Sequence, residues 1–234
     1  MAEQIEKSIQ FLVCPQRDFI DKIAKGQEPP NRLHIGYESA LKLRGLEGKP
    51  DPFVTVVSRF FDPKISGSEK VSIVIDEDWH AKSCEEFPIF GEHCVKGTDG
   101  AKLAGELEEY RWSPKTYIIR ANSINPIADK RYYSVMEEIR GKTKTEHIRV
   151  GVMGVWTHVK VEYLLICLRT LAPYFNHIAV CEPLCASPKQ EDHLYAIEKF
   201  KMLGFKVFHE IDAYCEWMGL NLKGLKHHEP VLAS

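Results

Sequence analysis

Six short β-rich runs, at 9–13, 71–75, 117–119, 148–152, 177–180 and 206–209, recur along the chain with helical segments between several of them. Parallel strands cannot be joined by a tight turn and need a crossover, usually a helix, so this alternation predicts a parallel sheet covered by helices. The expected fold class is α/β, a three-layer α/β/α arrangement with a mostly parallel sheet. The strongest helix follows the fourth run, in GVMGVWTHVKVEYLLICLRTL at 151–171, with Val161, Leu164, Leu165, Leu168 and Leu171 on one face and Thr157 as the expected N-cap. A second, at 190–203, spaces Leu194, Ile197, Phe200 and Leu203 for one buried face and stops at Gly204. Lys160 stands out in the first of these helices. It lies in the first turn, where the helix dipole favours negative charge.

The chain has 234 residues, 44% of them hydrophobic, which is enough for one packed domain over 1–234. A Pro- and Gly-rich stretch at 25–51, helical only around 37–43, reads as an inserted excursion, and the segment from about 219 reads as a loosely packed tail. The 31 basic and 33 acidic residues give a net charge of -2 with no long run of either sign, so electrostatics make no case for nucleic acid or a membrane surface as partner. No window approaches the roughly 18 apolar residues of a membrane span. A cytosolic protein with a small-molecule ligand is expected. Seven cysteines without repeated CxxC spacing suit reduced thiols and leave metal or catalytic roles open.

In an open parallel sheet, ligands bind at the carboxyl ends of the strands. Those ends carry CPQRDF (14–19), DEDWH (76–80), RANS (120–123) and GVWTHVK (154–160). Asp78 and His80 are two apart and return to one side of the chain, and His93 can fold back over the loop between them. One carboxylate and two imidazoles suit Zn, Fe or Mn, with Glu86 or Cys84 as a fourth ligand. From spacing alone, ordinary polar loop residues explain the stretch better than a metal site does.

DWH, HCVKGTDGAKL from His93, the upstream CPQRDF and the downstream GVWTHVKV together resemble the isochorismatase-like cysteine hydrolases, and within them the nicotinamidases. The resemblance implies that Asp78, His80 and His93, with Glu86, bind a divalent metal, expected to be Zn with Fe or Mn as alternatives. It also implies aromatic ligand walls at Phe19 and Phe90, with Trp156 as a further pocket candidate, and it leaves open a homo-oligomer. Such hydrolases use an Asp, a Lys and a nucleophilic Cys, and the matching positions here hold Cys14, Arg120 and Lys160. An acylated lysine would be a stable amide, and a free thiol titrating near ~8.5 is a poor general base. Three readings follow. The first is a non-catalytic or altered-function protein whose pocket, made cationic by Lys160 and Arg120, holds an aromatic acid or pyridine beside a metal. The second is a hydrolase rewired around a Cys14 thiolate activated by those two cations. The third is an interaction protein contacting partners through the 25–51 excursion and the tail near Trp217.

Overall fold

A computed structural model describes residues 5–66, 71–171 and 174–223. Its centre is one six-stranded sheet built from β1 (Lys7–Val13), β2 (Val71–Asp78), β3 (Thr116–Ala121), β4 (Ile148–Val155), β5 (His177–Ala186) and β6 (Lys206–Phe208). All neighbours pair in parallel, in the order β3-β2-β1-β4-β5-β6. The order reverses between β1 and β4, and such a reversal opens a crevice at the carboxyl ends of the strands. Each of the six sequence runs becomes a strand.

The crossovers are α1 (Gly36–Arg44), α2 (Pro52–Phe61), α3 (Tyr132–Arg140), α4 (Glu162–Thr170) and α5 (Gln190–Met202), and α6 (Ile211–Trp217) follows β6. α2 has a strong start, with Pro52 at its first position and the Asp51 carboxylate accepting from Val54 N at 3.1 Å. Ion pairs tie helix to helix: Arg59 of α2 meets Asp212 of α6 at 2.7 Å, and Lys199 of α5 meets Glu162 of α4 at 2.5 Å. α1 lies within the excursion read at 25–51. Among the described residues no helix is long and apolar enough to cross a membrane.

Three local expectations change. Thr157 is buried, and its hydroxyl meets His193 Nδ1 at 2.9 Å instead of capping the helix. On α5, Ile197 and Phe200 are buried as the spacing predicts, but Leu194 and Leu203 are exposed, and His193 and Ala196 take the inner positions. The inner stripe follows i, i+3, i+4, i+7 spacing, so it is rotated from the apolar pattern and not reduced in extent. Leu220 and Leu222 are buried, and Trp217 packs on Phe208 with ring centroids 5.6 Å apart, so the chain is packed at least that far; the rest of the expected tail, from 224, lies outside the described residues.

Gly154, near the end of β4, has φ 132°, and a Cβ there would lie 2.1 Å from Val13 O and 2.7 Å from Val13 N. Backbone atoms in a central strand cannot move aside, so this glycine lets β1 and β4 close at the crevice. Gly154→Ala should therefore lower stability by about 3 kcal/mol or more, read as a fall in the urea midpoint at unchanged slope.

Candidate functional site

The crevice is floored by the ends of β1, β2 and β4. Cys14 follows β1 directly, buried and with φ 46°, a left-handed conformation uncommon outside glycine. Gln16 clamps the end of β2, donating from Nε2 to Asp78 O and accepting from Asp78 N, both at 2.7 Å. Asp18 accepts from Cys94 N at 2.7 Å and packs so closely on Gly100 that a Cβ there would lie 2.2 Å away. These residues of CPQRDF thus fasten the loop after β1 to the loop after β2.

Asp76 and Asp78 are two apart on β2 and face the same way, as alternation requires. Lys160 enters from the opposite wall, in a π-helical turn (Thr157–Val161) that precedes α4. Its ammonium is ion-paired with Asp78 Oδ1 and lies 3.6 Å from Asp76 Oδ1. Burial alone would lower the lysine pKa, but the two carboxylates outweigh it and hold the group well above its usual range. Burial raises Asp78, yet Lys160, His80 and His93 together pull it well below the carboxylate range. Asp76 is fully buried, neither oxygen has a hydrogen-bond partner among the described residues, and burial pushes it up to about 7 against the pull of Lys160. The lysine in the first helical turn is therefore answered by carboxylates from another strand, not by the helix dipole.

The second oxygen of Asp78 faces the histidines, 3.8 Å from His80 Nε2 and 3.7 Å from His93 Nε2. Asp78, His80 and His93 offer ligand atoms that all lie within 4.8 Å of one another. His93 Nδ1 is held by Gly91 O at 2.7 Å, which aims Nε2 inward, while the buried His80 Nε2 has no hydrogen-bond partner among the described residues. An oxygen and two imidazole nitrogens, one of them orphaned, fit a divalent cation of the Zn, Fe or Mn class. Glu86 falls into a different group, with His80 and Cys84.

A cavity opens above these groups, lined by Phe19, Leu33, Phe90, Val155, Trp156 and Val159 on its apolar sides and by Cys14, Asp78, Glu86, His93 and Lys160 at its polar end. Trp156 is fixed by donating to Leu33 O at 2.8 Å and by stacking on His158. Arg120 does not reach the cavity. It is paired in register with Glu77, one residue out of phase with Asp76 and Asp78, so its side chain donates to Glu77 at 3.1 Å and lies over Trp79. A pocket with two free cations is thereby corrected to one in which a single lysine is neutralised. Burial, followed by Asp78, raises the Cys14 thiol well above its ordinary value, and Lys160 opposes this without reversing it, an environment that favours the thiol over the thiolate. Cys167 is buried, as its place near the apolar face of the helix suggests.

No protein-family model and no curated protein matches the sequence. Solved structures do match. An isochorismatase-like hydrolase from Alkaliphilus metalliredigens has TM-score 0.66 and 21% identity over 90% of this chain and 98% of its own. The fold is that of the isochorismatase-like hydrolases. A pyrazinamidase/nicotinamidase from Streptococcus mutans follows the same path with TM-score 0.65 and 18% identity, covering 86% of this chain and 100% of its own. The pyrazinamidase of Pyrococcus horikoshii, solved in complex with zinc, gives TM-score 0.62 and 20% identity, covering 87% and 99%.

Two residues of this neighbourhood went unread in the sequence. Asp76 carried a signal, its i,i+2 spacing from Asp78. His193 carried none, since a helix position gives no hint that it meets Thr157 at the base of the π-turn. Burial, then Lys42, lowers His193 to about 4, with Glu182 opposing at 3.6 Å.

Removing Lys160 leaves two carboxylates buried without a counter-charge. Lys160→Ala should cost about 3–5 kcal/mol at neutral pH, and the deficit should shrink as pH falls and the freed carboxylates take up protons; urea unfolding across pH reads both. His193 gives a pH dependence of the same sign from a single group. Its folded pKa lies below the unfolded value, so the unfolded chain takes up the proton first and stability is lost as pH falls from 6.5 to about 4, by about 3 kcal/mol in full. The difference in unfolding free energy between wild type and His193→Gln should vary over that window by this amount and be flat above it.

Proposed function

We propose that this protein is a non-catalytic or altered-function relative of the nicotinamidase-type hydrolases, and that its pocket holds a small aromatic or pyridine-type ligand beside a divalent cation. The observation that carries the reading is the buried ion pair of Lys160 with Asp78. Amide hydrolysis by covalent catalysis needs a nucleophile that is deprotonated or flanked by a base. At the pocket's polar end Lys160 is held protonated by its carboxylates, and the Cys14 thiol is held protonated by burial. That combination also weighs against a hydrolase rewired around Cys14.

Phe19, Phe90 and Trp156 supply flat apolar walls for a ring, and Asp78, His93 and Glu86 mark the end where a polar ring atom would point. A cation held by Asp78, His80 and His93 would supply Lewis-acid attraction for a pyridine nitrogen there. Because Lys160 is neutralised and Arg120 is turned away, a neutral ring is favoured over an aromatic carboxylate, in contrast to the expectation from charge counting. The flat apolar walls and single polar end of this cavity suit a small molecule as partner.

Titration calorimetry on zinc-loaded protein is the direct test. Nicotinamide or benzamide should bind more tightly than nicotinate, with no sustained release of ammonia. Steady ammonia production from nicotinamide would sink the non-catalytic reading, and absence of heat with all three compounds would sink the ligand class.

A further inference from the structure

His80 turns its two ring nitrogens to different neighbours. Nε2 faces Asp78 at 3.8 Å, whereas Nδ1 lies 3.3 Å from Cys84 Sγ. Cys84 and Glu86 join His80 in a second group whose ligand atoms all lie within 4.8 Å of one another, and neither Asp78 nor His93 is part of it. The outer nitrogen of a metal-bound histidine is ordinarily tied to a carboxylate, a carbonyl or water. His93 follows that habit through Gly91 O. His80 instead offers Nδ1 to a thiol, which is a weak hydrogen-bond partner and, as thiolate, a strong metal ligand.

We propose that His80 Nδ1, Cys84 Sγ and the Glu86 carboxylate form the principal cation site of this protein, selective for borderline-soft divalent ions of the zinc class, and separate from the Asp78, His80 and His93 group. The proposal rests on the reading that a divalent cation stands at the pocket and changes where it binds. Three observations support it. With metal–nitrogen and metal–sulfur bonds of about 2.0 and 2.3 Å, tetrahedral N and S ligands stand roughly 3.5 Å apart, close to the separation found between Nδ1 and Sγ. Charge favours this side too. Thiolate and carboxylate together balance a dication, whereas Asp78 brings one carboxylate that already holds the buried ammonium of Lys160. A dication there would lie close to that ammonium.

Local folding gathers the three ligands. His80 is pinned to the next loop by His80 N to Cys94 O at 3.1 Å and Lys96 N to His80 O at 2.9 Å. A turn closed by Cys84 N to Ala81 O at 3.1 Å brings the thiol back to within 3.3 Å of His80 Nδ1. Glu86 also lines the ligand cavity, so a cation at this site borders the same pocket. On binding, the S–H bond breaks as the S–metal bond forms, and the proton leaves to solvent without any redox change.

Cobalt(II) added to chelator-stripped full-length protein tests the assignment spectroscopically. The expected result is one bound equivalent with an intense near-ultraviolet sulfur-to-cobalt charge-transfer band. Cys84→Ser should abolish the band and weaken binding at least about tenfold, Glu86→Gln should weaken binding with the band kept, and His93→Ala should leave both band and affinity in place. Circular dichroism checks that each variant is folded. Bound cobalt with no such band and with affinity lost in His93→Ala would put the ion on the Asp78 group, overturning this proposal while leaving the metal-bearing pocket intact. A protein that binds no cobalt would overturn both.

Discussion

The ion pair between Lys160 and Asp78 organises this end of the molecule. It spans the crevice, joining the π-turn before α4 to the end of β2, and both partners are buried. A charge in such a place is tolerable only when matched, so each partner makes the other necessary. Gln16 ties the Asp78 backbone to the loop after β1, and that loop is tied through Asp18 to the loop after β2. A change at Lys160 would therefore be felt in the position of Asp78 and, through its second oxygen, in the orientation of both histidines.

The same pair decides how the pocket reads chemically. A lysine at the head of a helix facing a crevice looks from sequence like an anion receptor. With Asp78 ionised beside it and Asp76 titrating near neutrality, the receptor is already filled from within. What remains open to a ligand is a set of aromatic and aliphatic walls with imidazole and carboxylate at one end. Such a site selects by shape and by a single polar atom more than by charge.

The fold was legible because it depends on patterns that repeat over many residues: six apolar β-rich runs and the helical stretches between them. The grouping of Asp78, His80 and His93 was legible only in part from spacing, since strand alternation puts Asp78 and His80 on one side; what singled out all three was the family resemblance of DWH and HCVKGTDGAKL. Arg120 was misread because its assignment to the pocket came from the family resemblance, whereas its strand position is set by register with Glu77. One residue of phase in a strand turns a side chain to the opposite face. Leu194 and Leu203 were misread because an i, i+3 apolar series drifts round a helix of 3.6 residues per turn, and the face that packs holds His193 and Ala196 instead. Thr157 was misread because capping preference cannot foresee a buried histidine within hydrogen-bond reach.

Lys160 itself shows where local reasoning ends. Its oddity was visible in a dozen residues of sequence, because a cation in a first helical turn runs against the dipole. Its explanation lies far back in the chain, in two carboxylates that alternation puts on one face of β2. The dipole of a single turn contributes at most about 1 kcal/mol at an exposed helix end, whereas leaving either member of a buried ion pair unmatched costs several times that. The ion pair therefore fixes the lysine, and the helix dipole is overridden. For a site of this kind, the informative sequence signal is a local rule broken at a strand end, and its meaning comes from the partner that the sheet brings across.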